Sequence, residues 1–597
     1  MKYWKLLLSL LFALVMFWFW AFPHVSLLCY HEQYQLFLFN TDYMVERLSL
    51  PGGLADYLSE FIVQFFYVPV YGAALLAALF LLLQRLTWTM AKERGATDAR
   101  YPLSFIPAIA LWFMMSDENV LLSLHVALAA VLCLCCLYSR LAARYGIAVR
   151  AAALLPAVVI AYWLFGPAVY VLMAWAAIVE MGRNRSLKGA ALLAAMIVVA
   201  LFTILLSSRL PYELHRFFIG INYFRYPVYN PTMQFLVMAL FAFLPSLAGI
   251  KPKQVSGKRM ARAVVVKALI IAACGGLLIY GTFNNYKHQL IEYDFLVRAE
   301  KWDAIIEKAE RVPAVSPMDV SCVNLALSQK GLLAERLFDF YQNGPEGLLP
   351  AFTRDMVSPV STAEIYFRLG MVNDAHRYMF EAQEAIPNFR KSGRMTKRII
   401  QCEIINGQYE VARKFLRRLS QTIFYRQWAL TTMRLIDNEK AVNAHPLYGT
   451  LRSLRHHAED YLFSDSEVDQ MLGMLFTGNK RNRMAYEYLI CYVLLQRNME
   501  KFMAYYPIGQ YAGYTRIPRA FQEVLVGNWL QKHPDPKTIP YKIDGAVLEN
   551  TMSFIRLYMA DHNSKQLDMY PYSTNAWHYL LRGGGDNTKE QAEGGAH

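Results

Sequence analysis

Nine strongly apolar stretches occupy the first half of the chain, and the second half alternates apolar and polar positions with the period of soluble helices. Several stretches approach the roughly 20 apolar residues that a helix needs to cross a bilayer. The shorter ones need support from neighbouring helices. The stretches are Leu6–Phe22, Phe61–Leu83, Leu103–Met115, Val120–Tyr138, Ala151–Phe165, Ala168–Ile178, Leu187–Leu206, Gln234–Ile250 and Ala263–Phe283. The pattern predicts an all-α protein with about nine membrane-spanning helices, followed from Asn284 by a water-soluble helical domain.

The second half repeats a helix–turn–helix motif, most clearly in "YFRLGMVNDA" and "EIINGQYEVA". Three turns carry a glycine, at Gly331, Gly370 and Gly407, with a spacing near the tetratricopeptide (TPR) period of about 34 residues. An isolated helical hairpin cannot cover its apolar face, so such pairs stack into a solenoid. We therefore predict a transmembrane domain over 1–283, a TPR-like α-solenoid over 284–582 and a disordered tail over 583–597. An irregular all-α domain is the alternative to the solenoid.

The net charge of +14 is explained by topology. If the N-terminus is cytoplasmic and every stretch spans, most Lys and Arg side chains of the first half fall in inner loops, as the positive-inside rule requires. The outer loops then hold only four arginines, namely Arg47, Arg209, Arg216 and Arg225. This distribution argues against a nucleic-acid partner. It predicts a multi-pass protein of a bacterial inner (plasma) membrane, with the lipid bilayer as partner and the C-terminal domain in the periplasm.

The first outer loop, from Pro23 to Glu60, carries the most suggestive acids. Glu32 lies between His31 and Gln33 and is set against large apolar neighbours, and Asp42 follows on the same loop. A carboxylate held between aromatic rings at a membrane surface is partly desolvated, which raises its pKa toward the range of a general base. Glu32 and Asp42 are therefore the candidate catalytic residues, with His31 and Gln33 beside the substrate; the alternative is that both acids are solvated loop residues. Three further acids are interpreted as ordinary solvated side chains: Glu46, Asp56 and Glu60.

The loop Ser207–Met233 contains three of the four outer arginines. Guanidinium groups bind phosphate oxygens in a bidentate manner, and the aromatic residues between them suit the face of a sugar. Together with the first loop, this segment predicts a pocket for a polyprenyl-phosphate-linked sugar. Its candidate substrate-binding residues are Arg209, His215, Arg216 and Arg225. The alternative is an interfacial aromatic belt whose arginines pair with lipid phosphates or nearby acids.

Two resemblances bear on function. A polytopic half with a long acidic first outer loop, followed by an extracytoplasmic repeat domain, resembles GT-C-type membrane glycosyltransferases. That resemblance implies a catalytic or metal-binding carboxylate in the first outer loop, with Glu32 or Asp42 in the matching place and a divalent metal as the implied cofactor. The D-x-D pair common in such enzymes is missing from this loop. Through "EQYQLFLFN", "PGGLADYLSEFIVQFF" and "YFRLGMVNDA", the whole chain resembles an uncharacterised family of multi-span proteins from Bacteroidota.

Three functions follow from these observations. The first is a glycosyltransferase that moves a sugar from a polyprenyl-phosphate donor to an envelope acceptor at the periplasmic face. The second is a non-catalytic, membrane-anchored TPR-like scaffold that recruits an envelope protein through its repeat domain. The third is a transporter, for which the Gly166-Pro167 interruption is the main argument.

Overall fold

A computed structural model describes residues 3–183, 187–249, 257–283, 286–353, 358–455 and 466–583. Over these residues the chain is built from helices and connecting loops, with a single isolated β-bridge between Val120 and Phe224. The prediction of an all-α protein is therefore confirmed. The predicted tail, 583–597, lies outside the described residues apart from Gly583.

The chain packs into two compact units. Unit 1 comprises Met1–His288 together with Pro387–Gly393 and Arg418–Gln427, and unit 2 comprises Gln289–Ile386, Arg394–Arg417 and Trp428–His597. The sequence analysis divided the chain once, after Phe283. Two short segments of the second half nevertheless belong to unit 1, and both are important for the candidate site.

In the described residues up to Tyr280, unit 1 contains thirteen α-helices and three 3₁₀ segments. The α-helices are α1 (Trp4–Ala21), α2 (Val25–Gln33), α3 (Thr41–Leu48), α4 (Gly53–Val63), α5 (Pro69–Glu93), α6 (Ile106–Met115), α7 (Ser123–Arg144), α8 (Ile147–Phe165), α9 (Val169–Arg183), α10 (Leu187–Ser207), α11 (Leu214–Ile219), α12 (Pro231–Gly249) and α13 (Gly257–Tyr280). The 3₁₀ segments are Gln64–Tyr67, Asp98–Phe105 and Gly166–Ala168.

Seven helices of the described chain are long and apolar enough to cross a membrane by length and composition. They are Trp4–Ala21, Pro69–Glu93, Ser123–Arg144, Ile147–Gly182, Ala190–Ser207, Pro231–Ala248 and Arg259–Tyr280. Many of their large apolar side chains are exposed on unit 1, which is the expected arrangement for side chains that face lipid. These helices indicate a membrane protein.

The stretch Ile147–Gly182 folds back on itself as a hairpin of α8 and α9. Arg150 near the start of α8 donates to Glu180 near the end of α9, with 2.6 Å between Nη2 and Oε2. A continuous helix would separate two residues thirty positions apart by about 45 Å. The turn is at Gly166, whose φ of +63° favours glycine and whose Cβ, if added, would lie 3.2 Å from Tyr223 Oη.

Two predicted stretches begin or end differently in the structure. The second stretch does not span from Phe61, because α4 ends at Val63 and α5 begins only at Pro69. The third stretch, around Leu103, is a 3₁₀ segment followed by the ten-residue α6, with Pro102 inside the 3₁₀ segment and Pro107 in the first turn of α6. Proline has no backbone N–H and a fixed φ, so it suits the first turn of a helix, and it occupies that place in both α5 and α6.

The described residues from Tyr286 onward, most of which belong to unit 2, also form helices and connecting loops. The α-helices from Tyr286 onward are α14 (Tyr286–Arg298), α15 (Trp302–Arg311), α16 (Pro317–Gln329), α17 (Leu333–Arg336), α18 (Ser358–Leu369), α19 (Val372–Glu384), α20 (Gly393–Asn406), α21 (Tyr409–Leu419), α22 (Arg426–Leu435), α23 (Glu439–Ala444), α24 (Pro446–Leu454), α25 (Val468–Gly478), α26 (Arg483–Leu495), α27 (Met499–Tyr505), α28 (Arg519–Leu530), α29 (Gly545–Ala560) and α30 (Ala576–Arg582). The 3₁₀ segments are Leu337–Asp339, Pro345–Gly347, Pro387–Phe389, Tyr506–Tyr511, Pro536–Thr538, Lys565–Asp568 and Tyr572–Thr574.

The predicted helix pairs are present, and glycine supplies the turn in three of them. Gly370, between α18 and α19, has a φ of +91° and approaches the Leu454 backbone closely enough that a Cβ would lie 3.1 Å from it. Packing also joins helices that are distant in sequence, because α17 contacts α26 and α28. This arrangement departs from the neighbour-to-neighbour order of a simple solenoid.

Candidate functional site

One end of unit 1 carries a polar layer built from separate parts of the chain. We call it the polar cap and define it as residues 23–68, 116–122, 208–230, 387–393 and 418–427 of unit 1. Backbone hydrogen bonds join its parts, from Leu36 N–H to the Lys391 carbonyl at 3.0 Å, and from Phe39 N–H to the Gln421 carbonyl at 2.8 Å. Segments of the second half therefore complete the loops of the first.

Four charged side chains form the centre of the polar cap. Asp56 and Glu60 lie one turn apart on α4, so both carboxylates project from the same face. Arg390 contacts both, with 2.5 Å from Nη2 to Asp56 Oδ1 and 2.8 Å from Nη1 to Glu60 Oε1. Arg47 of α3 closes the group, with 3.0 Å from Nε to Glu60 Oε2. We call Arg47, Asp56, Glu60 and Arg390 the charge cluster; both carboxylates are fully buried and both arginines nearly so.

Neutral donors occupy the remaining positions around the two carboxylates. Asn222 donates to Asp56 Oδ2 at 3.0 Å, Ser123 donates to Asp56 Oδ1 at 3.4 Å, and Tyr43 donates to Glu60 Oε2. Burial alone would lower the pKa of Arg390, but Asp56 and Glu60 raise it above its ordinary value. Burial raises the pKa of Asp56, while Arg390 and Arg47 lower it. Three of the four carboxylate oxygens accept hydrogen bonds, and the fourth, Glu60 Oε1, faces Arg390 Nη1 as an ion pair.

The interpretation of Asp56 and Glu60 as solvated loop acids is wrong, because both are 0% exposed. Their four-residue spacing on a helix that follows Pro51-Gly52-Gly53 was the available signal for a shared face. The partner Arg390 is more than three hundred residues away, and no local pattern marks it. The interpretation of Glu46 as a solvated acid is confirmed, since its side chain is 60% exposed.

The two candidate catalytic acids have different surroundings. Glu32 is buried near the end of α2, where Tyr425 Oη donates to its Oε1 at 3.1 Å. Asp42 is exposed in the first turn of α3, and its N–H is capped by Asn40 Oδ1 at 2.8 Å. A carboxylate there also stabilises the helix N-terminus. Gln33, beside Glu32, is buried and donates to Tyr34 Oη at 3.0 Å.

Arg225 is held in a cage of two aromatic rings. Its guanidinium lies 4.8 Å from the ring centre of Tyr30 and 4.7 Å from that of Tyr34, and Nη1 donates to the Glu118 carbonyl at 2.7 Å. Its Nε and Nη2 are buried without a hydrogen-bond partner in the described part of the chain. Burial lowers the pKa of Arg225. His31 is also fully buried. Burial is the main cause that lowers the pKa of its imidazole well below the usual range, and the positive charge of nearby Arg225 lowers it further, so the ring is neutral.

The other three candidate substrate-binding residues of the loop 208–230 differ in burial: one is buried and two are exposed. Arg216 is buried between the rings of Tyr212 and Tyr226, and its Nη2 donates to Asn388 Oδ1 at 2.8 Å. Arg209 and His215 are exposed, and His215 lies 3.5 Å from Glu213. Of the predicted substrate-binding residues, only His31, Gln33 and Arg225 therefore surround a common feature, the Tyr30–Tyr34 pair.

The acids of the polar cap do not fit the divalent metal that the glycosyltransferase resemblance implies. Among the described residues, no group of three or more His, Cys, Asp or Glu side chains is arranged to hold a metal ion. The oxygens of Asp56 and Glu60 already face guanidinium groups, which a cation would have to displace. Metal-ligating carboxylates need free lone pairs directed at one point.

An apolar groove of about 610 Å³ runs along unit 1 between α1, α6 and α13. Its walls include Trp18, Trp112 and Gly276. At one end the His24 ring packs against the Phe283 ring, with 3.8 Å between ring centres and 39° between ring planes. A Cβ added to Gly276 would meet nothing within 4 Å, so open space lies beside this residue. The lining is suited to a hydrocarbon chain.

Comparison with known proteins gives one positive result. No curated protein matches the chain, and no solved structure matches it. The model of a family of unknown function, DUF6057, matches residues 2–583, which is nearly the whole length. The resemblance to an uncharacterised family is thereby confirmed. The chain belongs to the DUF6057 family of unknown function.

Proposed function

We propose that this protein is a non-catalytic, membrane-anchored scaffold that presents a TPR-like helical domain to an envelope protein at the periplasmic face of a bacterial inner membrane. The charge cluster carries this proposal. In this cluster Asp56 and Glu60 bind Arg390 and so hold Pro387–Gly393 in unit 1. The two acids are therefore not free to act in catalysis. The chain segments that flank α20 and α21 are both part of unit 1. The chain therefore enters and leaves the α20–α21 hairpin through segments of unit 1.

Nine passes are part of the proposal, and two observations support them. The α8–α9 hairpin provides two passes, although Ile147–Gly182 is only one of the seven long apolar helices. The segment from Asp98 to Met115 provides another. Asp98 lies 2.6 Å from Lys5 near the start of α1, and at the other end the Ser116 carbonyl lies 3.1 Å from His288, which follows α13. The segment thus runs from one end of the bundle to the other, although part of it is 3₁₀.

The proposed orientation follows from charge. Lys5, Lys92 and Arg100 lie at the end of unit 1 opposite the polar cap, where Arg100 donates to the Ala248 carbonyl at 2.6 Å. The positive-inside rule makes that end cytoplasmic. With nine passes and a cytoplasmic N-terminus, the polar cap and the residues after Phe283 are periplasmic.

The scaffold proposal predicts that Glu32→Gln and Asp42→Asn leave function intact. Glutamine still accepts the hydrogen bond of Tyr425, and loss of the charge at the start of α3 costs less than about 1 kcal/mol. The measurement is the growth of a deletion strain complemented by each variant and by the double variant, with the amount in the membrane determined in parallel. A chain that ends at Phe283 serves as the inactive control. If Glu32→Gln or Asp42→Asn reaches the wild-type amount in the membrane but does not restore growth, the scaffold proposal is contradicted.

A polyprenyl-phosphate-sugar-dependent transferase is the second candidate, because Arg225 favours it. Two of its buried N–H groups lack a hydrogen-bond partner in the described residues, and a buried donor without a partner is costly. A phosphate oxygen would satisfy them, and the apolar groove between α1, α6 and α13 suits a polyprenyl chain. On this hypothesis His31 and Gln33 would lie beside the headgroup.

The two candidates differ in what they predict for Arg225→Met. If Arg225 binds phosphate, the substitution weakens the binding of undecaprenyl phosphate to the purified full-length protein by at least about tenfold. Arg209→Met is the matched control, since Arg209 is exposed on the same loop. Binding by intrinsic fluorescence or mass spectrometry of the intact complex is the measurement. If Arg225→Met and Arg209→Met bind undecaprenyl phosphate with equal affinity, Arg225 does not bind the phosphate and no longer favours the transferase.

A further inference from the structure

Unit 2 contains a cleft of about 590 Å³ that the scaffold proposal does not use. It lies among the 3₁₀ segment Tyr506–Tyr511, the loop before α28 and the loop before α29. Its volume falls within the range of about 300 to 1,000 Å³ that is usual for small-molecule sites. The cleft is not simply apolar, because aromatic rings and charged side chains both line it.

The aromatic part of the cleft includes three half-buried tyrosine rings and the buried ring of Phe521. Tyr506 and Tyr541 are perpendicular, with 6.1 Å between ring centres, and Tyr514 meets Phe521 edge to face at 6.4 Å. Tyr514 is also fixed through its hydroxyl, which donates to Glu487 at 3.0 Å. Tyrosine provides a large, rigid and amphipathic contact surface at a low cost in conformational entropy. The rings therefore form a preorganised platform.

The base of this platform is fixed by a close approach. Tyr486 Oη donates to the Tyr506 carbonyl at 2.9 Å, passing directly over Gly509. A Cβ on Gly509 would lie 2.1 Å from that hydroxyl oxygen. Only glycine leaves room for the hydrogen bond that holds the Tyr506 segment in place.

The polar part of the cleft includes three charged side chains, namely Arg516, Lys542 and Asp544. Arg516 lies between two carboxylates, at 2.8 Å from Glu335 and 2.7 Å from Asp544. Asp544 also accepts from Gln522 at 3.0 Å. Lys542 is exposed at the rim. Donors and acceptors are thus presented side by side next to the rings, in a geometry that suits neighbouring hydroxyl groups.

We propose that this cleft binds a saccharide. A pyranose has an apolar C–H face, which packs on a tyrosine ring, and an edge of hydroxyls, each of which both donates and accepts hydrogen bonds. The rings of Tyr506 and Tyr541 match the face, and the Arg516–Asp544 pair matches the hydroxyl edge. An oligoproline peptide could also pack on the two tyrosine rings. Its internal residues have no N–H or O–H groups, however, so it would cover Asp544 without donating a hydrogen bond to its carboxylate. The proposal goes beyond the scaffold function and does not depend on the charge cluster.

The test is saccharide binding by the full-length protein in detergent. The probes are cellotetraose, maltotetraose and chitotetraose, with octaproline as the competing peptide, and titration calorimetry is the measurement. We expect at least one tetrasaccharide to bind. Tyr541→Ala is expected to weaken that binding by about tenfold or more, whereas Tyr541→Phe, which keeps the ring, stays within about threefold. Tyr511→Ala is the matched control, because Tyr511 is exposed on the same stretch of chain but does not line the cleft.

Three results would overturn the proposal. The first is that none of the three tetrasaccharides binds the wild-type protein. The second is that Tyr541→Ala binds as tightly as Tyr511→Ala. The third is that octaproline binds and is lost in Tyr541→Ala while no saccharide binds, which would make the cleft a peptide site. None of these results bears on the charge cluster, so the scaffold proposal is tested separately.

Discussion

Arg390→Met is expected to lower the free energy of unfolding of unit 1 by about 3 to 5 kcal/mol, the cost of leaving buried carboxylates without their partner. Arg390 is 4% exposed, and its two Nη atoms contact Asp56 and Glu60, which are fully buried. Methionine fills much of the same volume but supplies no charge and no donor. Chemical denaturation in detergent micelles, followed by intrinsic fluorescence, measures the difference.

Arg418→Met is the matched control for this variant. Arg418 lies in the other second-half segment of unit 1 and is exposed, so its loss is expected to change stability by less than about 0.5 kcal/mol. Asp56→Asn provides a second variant, because it leaves the guanidinium of Arg390 in place and removes only one of the charges. If Arg390→Met and Arg418→Met unfold at the same denaturant concentration, the charge cluster does not hold Pro387–Gly393 in unit 1.

The second large effect is expected at the α8–α9 hairpin. Arg150→Leu removes the guanidinium whose Nη2 lies 2.6 Å from Glu180 Oε2, and Glu180 is 1% exposed. Tyr138 Oη, at 2.7 Å from Glu180 Oε1, remains but carries no charge. We expect a loss of about 3 to 5 kcal/mol, because a buried carboxylate is left uncompensated. Thermal unfolding of the purified protein, with Arg144→Leu as the exposed control, measures it.

A double variant distinguishes this explanation from simple loss of packing. Arg150→Leu combined with Glu180→Leu removes both charges, and replacing a buried ion pair by apolar residues is often neutral or stabilising. The double variant is therefore expected to recover most of the stability lost in Arg150→Leu. A double variant less stable than Arg150→Leu alone would contradict an uncompensated buried charge as the cause of the loss.

Hydrophobic patterning predicted the helices of this protein well, because membrane spans and helical hairpins are encoded locally. The hairpin of α18 and α19 follows from apolar periodicity and from a glycine at the turn. The start of the second span was misplaced at Phe61, since an apolar run does not reveal that Gln64–Tyr67 is 3₁₀ or that α5 begins at Pro69. Composition marks apolar segments, but proline and local geometry decide where each helix begins.

The candidate site was less accessible to sequence analysis. The acids of 23–60 were singled out as a group, and the two ranked highest, Glu32 and Asp42, are a buried hydrogen-bond acceptor and an exposed residue of a helix N-terminus. The acids that form the centre of the polar cap, Asp56 and Glu60, were placed in solvent. Their burial depends on Arg390, and a contact over such a sequence separation leaves no local signal.

A double-mutant cycle on Asp56 and Arg390 shows whether acids of the polar cap hold the chain together. The free energy of unfolding is measured for wild type, Asp56→Asn, Arg390→Met and the double variant. We expect the two substitutions not to be additive, with a coupling free energy within the range of about 0.5 to 3 kcal/mol that is typical of contacting residues. If the effects add within about 0.5 kcal/mol, Asp56 and Arg390 are independent sites and the charge cluster does not hold Pro387–Gly393 in unit 1.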